Sequence, residues 1–169
     1  MKSILYFAAL TFLFLNVNVA QAQKCEVTKD PITGEKMITA NYRDKWVYME
    51  NKGDWTTIQI VYTYFGDVTK ISPKGSELIF KLDNDEIIKC VTSTDAESKR
   101  QLAQGIVYSN YTFEAVLDKA TIAKLAAHAP MLIRLPDMQT GERDITEKWS
   151  QGKKYFKAIN TGAAFILAN

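Results

Sequence analysis

Histidine is nearly absent, and its scarcity is the first constraint: His128 is the only one in 169 residues. Any Ser-His-Asp or Cys-His relay would have to use it. Its place in the last turn of a predicted helix gives it a plainer role, an imidazolium facing the negative end of the helix dipole. Cysteine is almost as rare, with Cys25 and Cys90 alone. Two Cys and one His cannot assemble a Cys/His metal site, so neither metal nor cofactor is expected. An excess of one charge is missing too, at a formal net charge of +2, which points to neither nucleic acid nor a charged membrane surface as partner. The four prolines and eight glycines are scattered; no linker, repeat or low-complexity tract results, and the chain reads as one domain. Also missing are G-x-S-x-G, a phosphate-binding glycine loop, H-E-x-x-H and S-x-x-K. Asp83, Asp85 and Glu86 resemble a calcium loop only until Ile87 takes the fifth position and no Gly follows; the segment reads as an ordinary turn.

The long apolar run that does exist lies at the start. Met1-Lys2 is positive, Ile4 to Leu15 is apolar apart from Thr11, and Ala20-Gln21-Ala22 has the small-residue pattern of a cleavage site. We read residues 1–22 as a signal peptide and 23–169 as the mature domain, periplasmic or secreted. Twelve residues are short of the roughly 20 that span a membrane, so no transmembrane span is expected. Lys24 before Cys25 argues against lipid attachment. The remaining 147 residues are enough to bury a core.

Export makes a Cys25–Cys90 disulfide available. It would tie the N-terminus to the sheet and contribute ~4 kcal/mol in the chain-entropy model. The competing reading makes Cys90 a small buried apolar residue and Cys25 a free thiol on a frayed end.

The best-patterned stretch is Lys74 to Thr92. Strand-forming runs at Glu77–Leu82 and Glu86–Val91 flank Asp83-Asn84-Asp85, a hairpin pattern. A turn centred on Asn84-Asp85 sets Leu82 against Ile87 and Ile79 against Cys90. Both faces then carry apolar side chains, so this hairpin is expected to be central and covered on both sides, with Leu78, Phe80 and Leu82 buried. Asp30-Pro31-Ile32-Thr33-Gly34-Glu35 is a turn between strands at 26–29 and 36–43. Strands at 45–50 and 55–65 follow, the second alternating Thr56, Ile58, Ile60, Tyr62 and Tyr64 against Trp55, Thr57, Gln59, Val61 and Thr63. With Lys52-Gly53 as a two-residue turn, Trp46, Tyr48 and Trp55 share the face of Thr57 and Gln59; a three-residue loop would move Trp46 and Tyr48 to the other face. Asp95 to Gln104 is too polar for a packed helix and reads as a mobile excursion. Ile106–Leu117 is a strand, in which the glycosylation-like Asn110-Tyr111-Thr112 is read as chance. Asp118 caps a helix that Pro130 stops. A hairpin of Met131–Leu135 and Arg143–Thr146 turns at Gln139-Thr140-Gly141, and a C-terminal helix occupies 147–167, interrupted by Gly152 and weakened by Gly162.

The class is therefore α+β: a mainly antiparallel sheet of hairpins covered by one central and one C-terminal helix. The pieces Asp30-Pro31-Ile32-Thr33-Gly34-Glu35-Lys36, Lys74-Gly75-Ser76-Glu77-Leu78 with Lys81-Leu82-Asp83-Asn84, and Ile133-Arg134-Leu135 before a basic C-terminal helix resemble small exported proteins of unknown function common in Bacteroidetes. That resemblance implies no activity.

Trp46, Tyr48 and Trp55 are the candidate binding residues, flat faces that stack on sugar rings or anchor a protein. The alternative is that a helix carrying Trp149 covers them as a second core layer. No catalytic residue is singled out. The expected function is an exported non-catalytic module that binds a glycan or protein of the cell envelope. The alternatives are a small carboxylate-dependent hydrolase, its two acids drawn from distant strands, and an inhibitor or partner subunit using an edge strand.

Overall fold

The computed structural model describes residues 23–137 and 141–169, so the signal-peptide reading of 1–22 and most of the turn at 139–141 lie outside the described residues. The strands are β1 (Gln23–Lys29), β2 (Lys36–Tyr42), β3 (Val47–Lys52), β4 (Trp55–Phe65), β5 (Glu77–Leu82), β6 (Ile87–Val91), β7 (Lys99–Ala103), β8 (Ile106–Leu117), β9 (Pro130–Asp137) and β10 (Gly141–Thr146); helix α1 (Lys119–Ala127) precedes β9 and helix α2 (Gly152–Ala168) follows β10. The fold is α+β, mostly antiparallel sheet with a central and a C-terminal helix. A six-stranded sheet runs β1-β2-β3-β4-β8-β7, and a four-stranded sheet runs β10-β9-β5-β6.

The two sheets share one continuous chain. After β6, Thr92 bridges to Ala115 of β8, and the Ser93 N–H donates to the Glu114 carbonyl at 2.8 Å. The chain then leaves the edge, pairs Ala96 with Ser72, and returns to β8 as β7. The stretch expected as a mobile excursion thus contains an edge strand. Its residues Lys99 to Leu102 are exposed, and a strand with no buried face carries no apolar alternation for the sequence to display.

Helix α2 packs against both sheets and α1. Its Ile159, Ala163 and Ile166 join Ala40, Val47, Met49, Ile58, Ile60, Phe113 and Ala115 of the large sheet and Leu78, Phe80, Ile133 and Leu135 of the small one in a single core. Each large apolar side chain so buried stabilises by about 1.5–3 kcal/mol. Gly162 lets the helix approach the sheet: a Cβ there would lie 3.0 Å from the Ala40 Cβ and the Met49 Sδ. Asp118 caps α1 as expected, its side chain accepting the Thr121 N–H at 2.7 Å.

The β5–β6 hairpin differs from expectation by one residue. Leu82 N–H donates to the Glu86 carbonyl, and Asp85 takes a left-handed φ of 65°, so three residues form the loop and Phe80 faces Ile88. A left-handed last loop residue absorbs the extra position. The slip sorts the faces. Leu78, Phe80, Leu82 and Ile88 are buried, while Ile87 and Val91 are 58% and 57% exposed. One face is covered, not both.

The β3–β4 turn is also displaced, by one residue, which shifts the cross-strand register by two. Gly53-Asp54 is the turn, with Gly53 at φ 63° in the position that needs a left-handed backbone, and Lys52 faces Trp55. A shift of two leaves every side chain on its expected face.

Cys25 in β1 and Cys90 in β6 are free thiols in different sheets, which overturns the disulfide reading; the frayed end expected for Cys25 is corrected too, since it pairs with Ala40 inside β1 and packs against the core. Burial pushes the Cys90 thiol up to about 12, which leaves it a poor nucleophile. No described helix is long and apolar enough to cross a membrane.

Candidate functional site: a polar groove on the outer face of the large sheet

The alternation along β4 puts Gln59, Val61 and Thr63 on the face away from α2, and β8 adds Glu114, Thr112 and Asn110 directly opposite them. These six residues floor a groove. One wall is the β2–β3 turn with Asp44, Lys45 and Trp46; the other is the chain from Thr94 to Gln101. Two adjoining depressions of about 580 and 630 Å³ share Asp44, Val61, Lys99 and Thr112 and form one trough, within the size range of ligand sites. A hollow near Lys36, Asn51 and Ile122 at the other end of β3 measures about 260 Å³, below that range.

The first wall is strained. Arg43, Asp44 and Lys45 have φ of 46°, 48° and 73°, three successive left-handed residues with no glycine among them. Such a conformation costs roughly 1–2 kcal/mol per residue, and it persists only where the surroundings enforce it. They do. The Trp46 N–H donates back to the Tyr42 carbonyl at 3.0 Å, and the Lys45 N–H donates to Asn41 Oδ1 at 2.8 Å. The Arg43 guanidinium lies 5.7 and 5.9 Å from the Tyr42 and Trp46 ring centres and donates to Gln151 Oε1. The Lys45 ammonium sits 5.2 Å from the Tyr48 ring centre.

Two of the three cross-strand pairs on the floor are hydrogen-bonded side chain to side chain, with Val61/Thr112 between them. Gln59 Nε2 donates to Glu114 Oε2 at 2.9 Å, and the Ser93 hydroxyl donates to Glu114 Oε1 at 2.8 Å. Thr63 donates to Asn110 Oδ1 at 2.6 Å, and Asn110 Nδ2 to Gln101 Oε1 at 3.2 Å. Each bond fixes a rotamer yet leaves capacity, because every carboxylate or amide oxygen has a second lone pair and every amide a second N–H. The surface therefore presents fixed polar groups at its Gln59/Glu114 and Thr63/Asn110 positions. Glu114 has neutral donors on both oxygens. Among the described residues, no three His, Cys, Asp or Glu are grouped to hold a metal ion.

Of the three aromatic candidates, the groove gathers one. Trp46 lines it and also packs inward, 6.2 Å from the Tyr155 ring of α2. Tyr48 faces Gln59, as a half-buried neighbour of the trough, with its hydroxyl donating to Glu50 Oε2 at 2.6 Å. Burial and that carboxylate push its phenol well above the ordinary value. Glu50 is drawn up by burial, but its bonds to Lys52 and Tyr48 outweigh this and hold it below the usual range. Trp55 is 60% exposed opposite Lys52, outside the groove lining. The two tryptophans lie six residues apart along β4, roughly 20 Å, so the three rings do not form one strip. Trp149 lies in the turn before α2 and packs on Tyr62 and Tyr155, so a helix carrying Trp149 does not cover the three candidates.

Sequence reasoning did not reach Gln59, Asn110, Thr112 and Glu114 as a set, because they come together only through the β4–β8 register. It also left His128 without a partner. Its Nδ1 lies 2.9 Å from Asp83 Oδ1, across from the β5–β6 turn.

No protein family, curated protein or solved structure matches this chain.

Proposed function

We propose that this chain is an exported, non-catalytic binding module of the cell envelope, and that the trough across β4 and β8 takes an extended polar ligand, a glycan chain. The observation that carries the reading is the floor: two cross-strand pairs, Gln59/Glu114 and Thr63/Asn110, whose polar groups are fixed by one another and still have bonding capacity toward the trough, on either side of Val61/Thr112. Sugar hydroxyls both donate and accept, so they match such a surface better than an apolar ligand does. Trp46 at one wall brings an aromatic side chain to the trough, and sugar C–H groups pack on aromatic rings. Strain in the Arg43–Lys45 wall supports a functional role, since stored backbone strain collects where a surface is shaped for use.

Affinity electrophoresis through gels containing soluble envelope polysaccharides tests this. At least one polysaccharide should retard the chain, and Thr112→Trp, which fills the trough from its floor, should abolish the retardation while the melting temperature stays put. Failure of every polysaccharide in the panel to retard the parent chain sinks the reading. Release of new reducing ends from a polysaccharide that does bind would replace it with the hydrolase.

A further inference from the structure

We propose that β7 pairs with β7 of a second copy across a two-fold axis at Gln101, extending the large sheet and setting two troughs side by side. The inference stands on the free edge of the sheet and not on what occupies the trough.

The ladder determines which backbone groups of β7 are free. The Gly66 N–H donates to the Val107 carbonyl, and the Ser93 N–H to the Glu114 carbonyl. Odd-numbered residues of β8 therefore bond toward β4, and even-numbered ones toward β7. Since Tyr108 faces Gln101 and Asn110 faces Lys99, the odd residues of β7 spend their N–H and C=O groups on β8. Those of Arg100 and Leu102 point away from the sheet. Among the described strands none lies on that side. An open edge is normally blunted by shortness, charge, a proline, a bulge or a covering loop; β7 is five residues long and carries Lys99 and Arg100, but it has no proline and its register with β8 is unbroken.

The side chains suit a second copy of the same strand. Pairing centred on Gln101 places Arg100 opposite Leu102 of the partner copy and Lys99 opposite Ala103, so the two cationic residues meet no like charge. All four backbone bonds, two from each Arg100–Leu102 pair, fall within the strand. Centring on Arg100 would oppose two guanidinium groups. Centring on Leu102 would require Gln104, which is in the turn at φ 52°. Leu102 on this edge is 70% exposed and would be covered by the stem of the partner copy's Arg100. Because the axis is perpendicular to the sheet, both troughs open on one side. Each is walled by its own Lys99 and Gln101, and only the two β7 strands separate them.

The test uses the chain beginning at Gln23, which holds every described element. Analytical ultracentrifugation should show a reversible dimer at concentrations up to about 1 mM, the range expected for so small a contact. Leu102→Pro removes one outward N–H and no bond to β8; it should weaken dimerisation at least about tenfold with an unchanged circular dichroism spectrum. In a chain carrying Cys25→Ala and Cys90→Ala, Gln101→Cys should cross-link to its own copy under mild oxidation, because facing non-hydrogen-bonded residues lie at disulfide distance. Ala103→Cys, on the same face but four residues from its counterpart, should not. A monomer at every concentration, a Leu102→Pro chain as dimeric as its parent, or equal cross-linking of the two cysteine variants each overturns the proposal.

Discussion

The Tyr155 hydroxyl lies 2.7 Å from the Val61 carbonyl oxygen and donates its proton to it. The reason for this bond is in the turn on the other side of the sheet. Val61 N–H donates to the Trp46 carbonyl, and the ladder would return a bond from Trp46 N–H to the Val61 carbonyl. The left-handed turn diverts that N–H to Tyr42 instead. Val61 is left with an unpaired carbonyl at the floor of the trough, and helix α2 satisfies it from behind. Burial, with Tyr42 and Tyr62 nearby, pushes the Tyr155 phenol well above its ordinary value, so it remains a donor. Tyr155→Phe should cost about 1–3 kcal/mol in a urea titration, the penalty of a stranded acceptor. A cost near zero would mean that water reaches the carbonyl.

Two glycines of α2 should respond oppositely to the same methyl group. At Gly152 a Cβ would lie 2.0 Å from the Thr146 carbonyl oxygen, an overlap that only a backbone shift relieves. Gly152→Ala should therefore cost on the order of 3 kcal/mol or more. At Gly162 the nearest atoms are the Ala40 Cβ and the flexible Met49 Sδ, both at 3.0 Å. Helix propensity returns about 1 kcal/mol there, so Gly162→Ala should change stability by less than about 1 kcal/mol. Thermal melts of the two variants compare them directly, and equal losses would refute the packing described.

The one-residue slip of the β5–β6 hairpin has its own test. Phe80→Ala should cost about 3–5 kcal/mol, whereas Ile87→Ala on the open face should cost within about 0.5 kcal/mol. Trp55→Ala, at an exposed position, belongs with Ile87. A large loss at Ile87 would restore the two-sided hairpin.

These elements also mark where the sequence was readable. The Asp118 cap and the buried Leu78-Phe80-Leu82 row follow from neighbours in the chain, so local chemistry sufficed. The hairpin register did not, because Asp85 adopts a left-handed backbone that its residue type permits but does not require. β7 was illegible because an exposed edge strand leaves no apolar imprint. The trough was illegible for a further reason: its floor joins residues about fifty positions apart, and its wall bends left-handed at Arg43, Asp44 and Lys45 without the glycine that would have announced it.

Acid should weaken the fold through local carboxylates. The Thr121 hydroxyl and N–H hold Asp118 below its ordinary value of 3.8, and the backbone N–H groups of Thr33 and Ile32 do the same for Asp30. A carboxyl whose pKa is depressed by folding contributes stability that is complete above the unfolded value and is lost as pH falls through the folded one. The melting temperature should accordingly hold down to about pH 4–5 and drop below it. Asp118→Asn, which keeps the cap without the charge, should flatten that drop. An unchanged acid slope in Asp118→Asn would assign the acid sensitivity elsewhere.

The strained wall gives the sharpest test of whether the trough is shaped for a ligand. Asp44 is the middle of three left-handed residues, and its side chain lines both halves of the trough. Glycine adopts this backbone without the Cβ clash, so Asp44→Gly should stabilise the fold by about 0.5–1 kcal/mol, provided that Asp44 contributes nothing to stability beyond its backbone. Stabilising replacements are common in natural proteins and do not by themselves reveal a function, so the variant is also tested for binding. If Asp44 serves binding, the same variant should lose retardation by the polysaccharide that slows the parent chain, even as its melting temperature rises. Binding unchanged alongside higher stability would strip the turn of a functional role; lower stability would mean that the Asp44 side chain supports the fold directly.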